Sequence, residues 1–348
     1  MSLPMLQHRT SQRGFTLVEL AVSAVILVVM VVVIGNLAST GTKAQEYAKR
    51  LNRVTEIGQD IADTMRLDLL SCVRLFGASE ASDAPLTYLD LEQCPLPLDG
   101  SRLPLVSSAS ELVPDTGVLR TVGNSLFFAR LAWVDRFECP SGNSYLVDVH
   151  RWVYYYLTPE GVGPQPGCGH GLNLVRFQSE PMADAEQVAA IPDAADRVAV
   201  LAHLRTASPD ATGMVRDPVR LAWNRNSGGG GLPMFQEIQA NGSLASSSTS
   251  GSWKLAPSDT PQRGILSYRH HSVATNFCRF DGEASAVGVA RWSQPSFDGA
   301  GFPHGFEVKV GGPSSGRKVA VNLCIVSTQI GVQLAWYRIQ PVYDVREI

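Results

Sequence analysis

Charge is scarcest where it matters most: from Phe15 to Ile34 the chain carries one ionisable side chain, Glu19. Other absences narrow the function classes. Six cysteines include no C-x-x-C pair, which removes zinc-ribbon and thioredoxin-type readings. No EF-hand spacing occurs, and no internal repeat of useful length. There is no basic excess either. A formal net charge of −3 argues against a nucleic-acid-binding surface as the main business of the chain.

What is present is enough for a folded head. The 348 residues, 45% hydrophobic and 18% charged, can bury one good-sized core or a core plus a satellite unit. Cys72, Cys94, Cys139, Cys168, Cys278 and Cys324 make an even set, which reads as disulfides if the domain lies outside the cytoplasm. Six cysteines allow fifteen pairings. Neighbour pairing gives Cys72–Cys94, Cys139–Cys168 and Cys278–Cys324, with buried free thiols as the alternative.

Three readings compete for residues 1–37. A secretory signal peptide has an apolar run of about 7–15 residues followed by a small-residue cleavage site. Here the run approaches the roughly 20 residues that cross a bilayer as a helix, and Gly14 precedes it rather than following it. A plain signal anchor explains the length, and Arg9 and Arg13 on the cytoplasmic side. It leaves Glu19 unexplained, because a carboxylate inside a membrane segment is costly and marks function by default.

The third reading rests on the run Gly14-Phe15-Thr16-Leu17-Val18-Glu19. It resembles the type III signal of type IV pilins and type II secretion pseudopilins. The resemblance implies that a prepilin peptidase cuts between Gly14 and Phe15 and that Phe15 becomes N-methylated. Residues 1–14 are then a leader, and Glu19 is the fifth residue of the mature chain. It also implies a partner for Glu19, the Phe15 ammonium of a neighbouring subunit, since a buried charge needs an opposite one. Removing the leader takes Arg9 and Arg13 with it, leaving the remainder more acidic.

Beyond the apolar run the helical pattern resumes. Tyr47, Leu51, Val54, Ile61, Met65 and Leu69 recur at helical spacing, leaving Lys49, Arg50, Arg53, Asp60 and Asp63 largely to other faces. Gly77 is a stop signal. One helix over residues 15–76 follows, roughly 90 Å long, with its membrane segment at about residues 15–37. Many pilins carry a proline where this chain has Gly35-Asn36.

Residues 78–348 read as a β-rich head. Strands are expected at Ser125–Leu131, Tyr145–Leu157, Leu172–Gln178, Val215–Trp223, Gly305–Val310, Val319–Thr328 and Val332–Ile339. Asp184–Leu204, broken by Pro192, reads as one or two short helices, and residues 224–252 as a long flexible surface loop. The expected class is α+β and pilin-like: a long N-terminal helix packed on an antiparallel sheet with large insertions. The Tyr-rich segment Trp152–Leu157 followed by Leu174-Val175-Arg176 resembles the PilW-type minor pilins and the J-type pseudopilins. The aromatic strand itself reads as core.

No catalytic constellation emerges. Gly312-Pro313-Ser314-Ser315-Gly316 matches G-x-S-x-G by letters, but a nucleophile elbow needs a following helix. Arg317–Thr328 is β-branched, so a hairpin loop is expected; Arg317 also stands where a phosphate loop requires lysine. Cys168-Gly169-His170 and His270-His271 lack metal-site spacing, and no metal or cofactor is expected.

The resemblance therefore implies a minor pilin, anchored in the bacterial inner membrane with its head in the periplasm before entering a pilus. Expected partners are the prepilin peptidase, other major and minor pilins, and a tip adhesin. A secretion pseudopilin is the alternative, and a membrane-tethered periplasmic enzyme the remote one.

Overall fold

The computed structural model describes residues 16–78, 84–114, 120–159, 172–207, 215–225, 234–245, 254–258, 266, 271–274, 292–293, 305–327 and 335–347. Two compact units emerge, residues 1–50 and 51–348. The first is the exposed part of helix α1, which spans Leu17–Leu70. Its apolar residues from Leu17 to Leu37 face outward all round, and this stretch meets the length and composition of a membrane-crossing helix.

In the second unit the rest of α1 becomes amphipathic. Val54, Ile61, Met65 and Leu69 are buried, one or two turns apart, so a single stripe faces the head. Gly58 belongs to that stripe for a steric reason. A Cβ there would lie 2.8 Å from Tyr337 Cδ1, so only glycine admits the ring.

The helix ends six residues before the sequence pattern implies. Cys72–Phe76 is strand β1, antiparallel to β3 (Leu126–Glu138). Its Cys-Val-Arg-Leu-Phe sequence continues the apolar periodicity, but pairing with a β-rich neighbour overrides helical propensity there. Strand β4 (Ser144–Thr158) forms a long hairpin with β3, bulged between Leu131 and Trp133. On its other side β4 pairs with β5 (Asn173–Gln178) and β6 (Met182–Asp184). The sheet continues through β7 (Leu221–Trp223), parallel to β6, to β8 (Phe235–Glu237). Strand β8, which begins at buried Phe235 and is followed by buried Ile238, lies inside the stretch expected to be a flexible loop; apolar residues between the glycine and serine runs anchor it.

Helices α2 (Ala185–Ala189) and α3 (Ala194–Leu204) flank Pro192 as expected, each N-capped by an aspartate, Asp184 and Asp193. The second sheet holds β2 (Val106–Ser107), β9 (His271–Val273), β10 (Phe306–Gly311), β11 (Arg317–Ser327), β12 (Ala335–Ile339) and β13 (Val342–Val345). Among described residues the class is α+β, with mostly antiparallel sheets and two short parallel pairings.

Alternation along β4 divides the core. Trp152, Tyr154 and Tyr156 point into a cluster with Phe76, Phe127, Trp223 and Phe235. Trp152 sits at its centre, 5.1–5.9 Å from Phe76, Phe127, Trp223 and Phe235 in tilted or edge-on contacts. The opposite face carries Tyr155, Arg151 and Val149.

Candidate functional site: two carboxylates of the long helix

Gly14 and Phe15 lie outside the described residues; Glu19 lies inside, in the first turn of α1. Its Oε2 accepts from Thr16 N and from Thr16 Oγ1, each at 2.9 Å, while Glu19 N donates back to Thr16 Oγ1 at 3.3 Å. This reciprocal arrangement is a capping box. It satisfies main-chain donors that the helix start leaves open. Among the described residues, Thr16 is the only hydrogen-bond donor to this carboxylate. The T-x-x-E spacing was the signal for this role, and the sequence reading passed over Thr16.

Asp68 is the contrasting carboxylate. It is 3% exposed, about four turns from where the buried stripe begins at Val54, and faces the sheet rather than solvent. Arg176 of β5 engages it in a two-point fork, Nε to Oδ2 at 2.7 Å and Nη2 to Oδ1 at 2.9 Å. Arg130 of β3 donates Nη1 to Oδ1 at 2.9 Å, and Tyr155 of β4 donates its hydroxyl to Oδ2 at 2.5 Å. Three adjacent strands thus converge on one helix side chain. Gln178 Oε1 accepts a further bond from Arg176 Nη2 at 2.7 Å.

The electrostatics fit a fixed ion cluster. Burial, then the Asp68 charge, holds the Tyr155 phenol well above its ordinary pKa, so it stays a donor. Burial opposes the Arg176 charge, but its bonds to Asp68 outweigh that and its pKa moves up. For Arg130 burial wins and the pKa moves down despite Asp68. A second pair stands beside the first: Arg151, opposite Arg130 in the ladder, donates to Asp217 at 2.7 Å and also bonds Ser258. Reading the Tyr-rich strand as core thus describes Tyr154, Tyr155 and Tyr156, all buried, and Tyr155 together with Arg176 also holds the helix.

Other sequence candidates resolve individually. The Gly312–Gly316 run is the loop of the β10–β11 hairpin, closed by a 3-10 turn at Ser314–Gly316, with Gly312 at φ +104°. Its serines therefore stand on no strand-to-helix elbow. Cys168, Gly169, His170 and His270 lie outside the described residues, and His271 begins β9. The Cys72–Cys94 pairing is not formed. Cys72 is a buried β1 thiol, its pKa pushed up by burial and by Glu347, whereas Cys94 lies half-buried near Asp90. Cys139 is likewise a thiol, hydrogen-bonded to the Asp196 carbonyl, and Cys324 is buried in β11. The partners expected for these two, Cys168 and Cys278, lie outside the described residues.

In comparison with known families, the model for the prokaryotic N-terminal methylation motif matches residues 9–35. No curated protein and no solved structure matches the chain. The matched stretch holds Gly14, Phe15, Thr16 and Glu19 together with nearly all of the apolar part of α1.

Proposed function

We propose that this chain, whose N-terminus is of the prepilin type and marks a structural, pilin-like protein rather than an enzyme, is a PilW-like minor pilin of a type IV pilus. The observation that carries the reading is the register of the methylation motif with α1: the cleavage junction, Glu19 and the uninterrupted apolar helix follow one another without a gap. Such a motif implies processing by a prepilin peptidase and assembly with other pilins.

In this reading the protein waits in the inner membrane with its head in the periplasm. Cleavage after Gly14 exposes the Phe15 amine, which is then methylated. Subunits polymerise noncovalently, their apolar helices bundled, and Glu19 of one meets the Phe15 ammonium of another. The capping box gives Glu19 a local partner until then, so assembly exchanges Thr16 for a neighbour's amine. The Asp68 cluster couples helix to head, so a load on α1 reaches three strands at once. A large head favours a place at or near the tip, where fewer neighbours crowd it and where an adhesin would dock.

Retention of Glu19 and the Tyr155–Arg176 pattern also fit a J-type minor pseudopilin of type II secretion. Two measurements decide. Mass spectrometry of the membrane-purified protein should find a chain beginning at methylated Phe15; a retained leader overturns the pilin reading and favours a tether. Deletion should abolish surface piliation or twitching with secretion intact; the opposite phenotype assigns the protein to the secretion system. Glu19→Ala should insert in the membrane normally yet fail to enter filaments.

A further inference from the structure

The last two strands of the second sheet form one edge. Residues of β12 and β13 pair with β11 in a single continuous register, Leu323 with Ile339 and Ala320 with Val342. Val321 N donates to Pro341 O at 3.0 Å, so the main chain of the odd-numbered residues points inward to β11. The main-chain groups of Trp336, Arg338, Gln340, Val342 and Asp344 therefore point the other way. No described strand pairs with them. Natural edges are usually blunted by proline or inward charge, but Pro341 spends its missing N–H on the inner side and leaves the outer row complete. Trp336 is 46% exposed and Val342 57%. Beside the strand a groove runs between Pro341 and Val342 and the α1 residues Leu69 and Leu70, with Asp63, Arg66 and Asp344 as its charged members.

We propose that this edge pairs with the same edge of a second copy of the chain, antiparallel, about a two-fold axis at Pro341. The side chains select that occupant and that register. With the axis at Pro341, Arg338 faces Asp344 of the other copy, Trp336 faces Arg346, and Gln340 faces Val342. The opposite-charge pair and the cation–aromatic pair are then each made twice, because the interface is self-complementary. An axis one residue later, at Val342, sets Arg338 against Arg346. One residue earlier, at Gln340, it sets Arg338 against Val342 and Asp344 against Trp336. Arg338 is held for this role by its Nε bond to Asn322 Oδ1 at 2.9 Å. The second sheets of two heads become one continuous sheet.

The test uses the full chain in detergent micelles. In Pro341→Cys the new thiols of two copies face each other at the axis in a close, non-hydrogen-bonded pair. Mild oxidation should give a covalent dimer that the wild type, under the same conditions, does not form. Adding Asp344→Arg should cut the yield about tenfold by opposing Arg338. Adding Arg338→Asp to that variant should restore it, with near-ultraviolet circular dichroism confirming the fold of each. Absence of the dimer overturns the proposal. So does a yield indifferent to charge reversal, which would trace the contact to the apolar helices. Neither outcome touches the pilin reading, which rests on the N-terminus.

Discussion

Glu19 and Asp68 are both carboxylates on α1, and they sit in opposite surroundings. Glu19 lies among exposed apolar residues and is satisfied by its own helix start through Thr16. Asp68 is buried and satisfied by Arg176, Arg130 and Tyr155 from three strands of the same head. The first arrangement is local and replaceable, so another molecule's cation can take it over. The second is long-range and closed, with its charge neutralised inside the fold. With the assembly role proposed for Glu19, one helix gives assembly and anchoring each its own carboxylate.

The comparison breaks most severely at Asp68. Asp68→Ala leaves Arg176 and Arg130 buried without their counter-ion, and we expect a loss of about 3–5 kcal/mol in head stability by denaturant unfolding. Glu19→Ala should leave that midpoint where it was; a comparable loss there would erase the distinction between the two sites.

Acid offers a second, slightly smaller probe, because it strikes the head and spares the apolar segment. His150 of β4 is buried against Trp223, near Asp184, Arg225 and Asp148. Burial foremost lowers its pKa from 6.5 to about 4. The folded state therefore resists protonation that the unfolded chain accepts. Stability is complete above about pH 6.5 and falls as the pH drops towards 4, by about 3 kcal/mol. His150→Phe should flatten the decline between pH 6.5 and 5; an unchanged slope would place the acid sensitivity elsewhere.

Tyr155→Phe sharpens the picture at the smallest scale. It removes one hydroxyl donor from Asp68 and leaves both arginines in place. A loss of about 1.5–3 kcal/mol is expected, as for a hydrogen bond to a charged group. A loss as large as that of Asp68→Ala would mean that the tyrosine, not the ion cluster, holds the helix.

Much of this was legible in the residues. The β3–β4 hairpin, β5, β10 and β11 follow alternating apolar runs, and the helices around Pro192 follow their caps. The end of α1 was not legible, since Cys72–Phe76 satisfies a helical stripe and a strand equally well and only its pairing with β3 decides. Strand β8 was hidden between glycine and serine runs, because three residues carry too little periodicity. Thr16 was visible in the T-x-x-E spacing but was overshadowed by the assembly role proposed for Glu19.

The sequence by itself determined the N-terminus: junction, charge and apolar run form a linear pattern of the prepilin type, of the kind a peptidase and a bilayer read as such. The anchoring of the head belongs to the tertiary structure alone. Asp68 meets Arg130, Tyr155 and Arg176 from 62, 87 and 108 residues away along the chain. No local propensity encodes such a meeting. Sheet order and the side-chain alternation of β3, β4 and β5 bring the three donors under one turn of helix, where burial makes their charges matter.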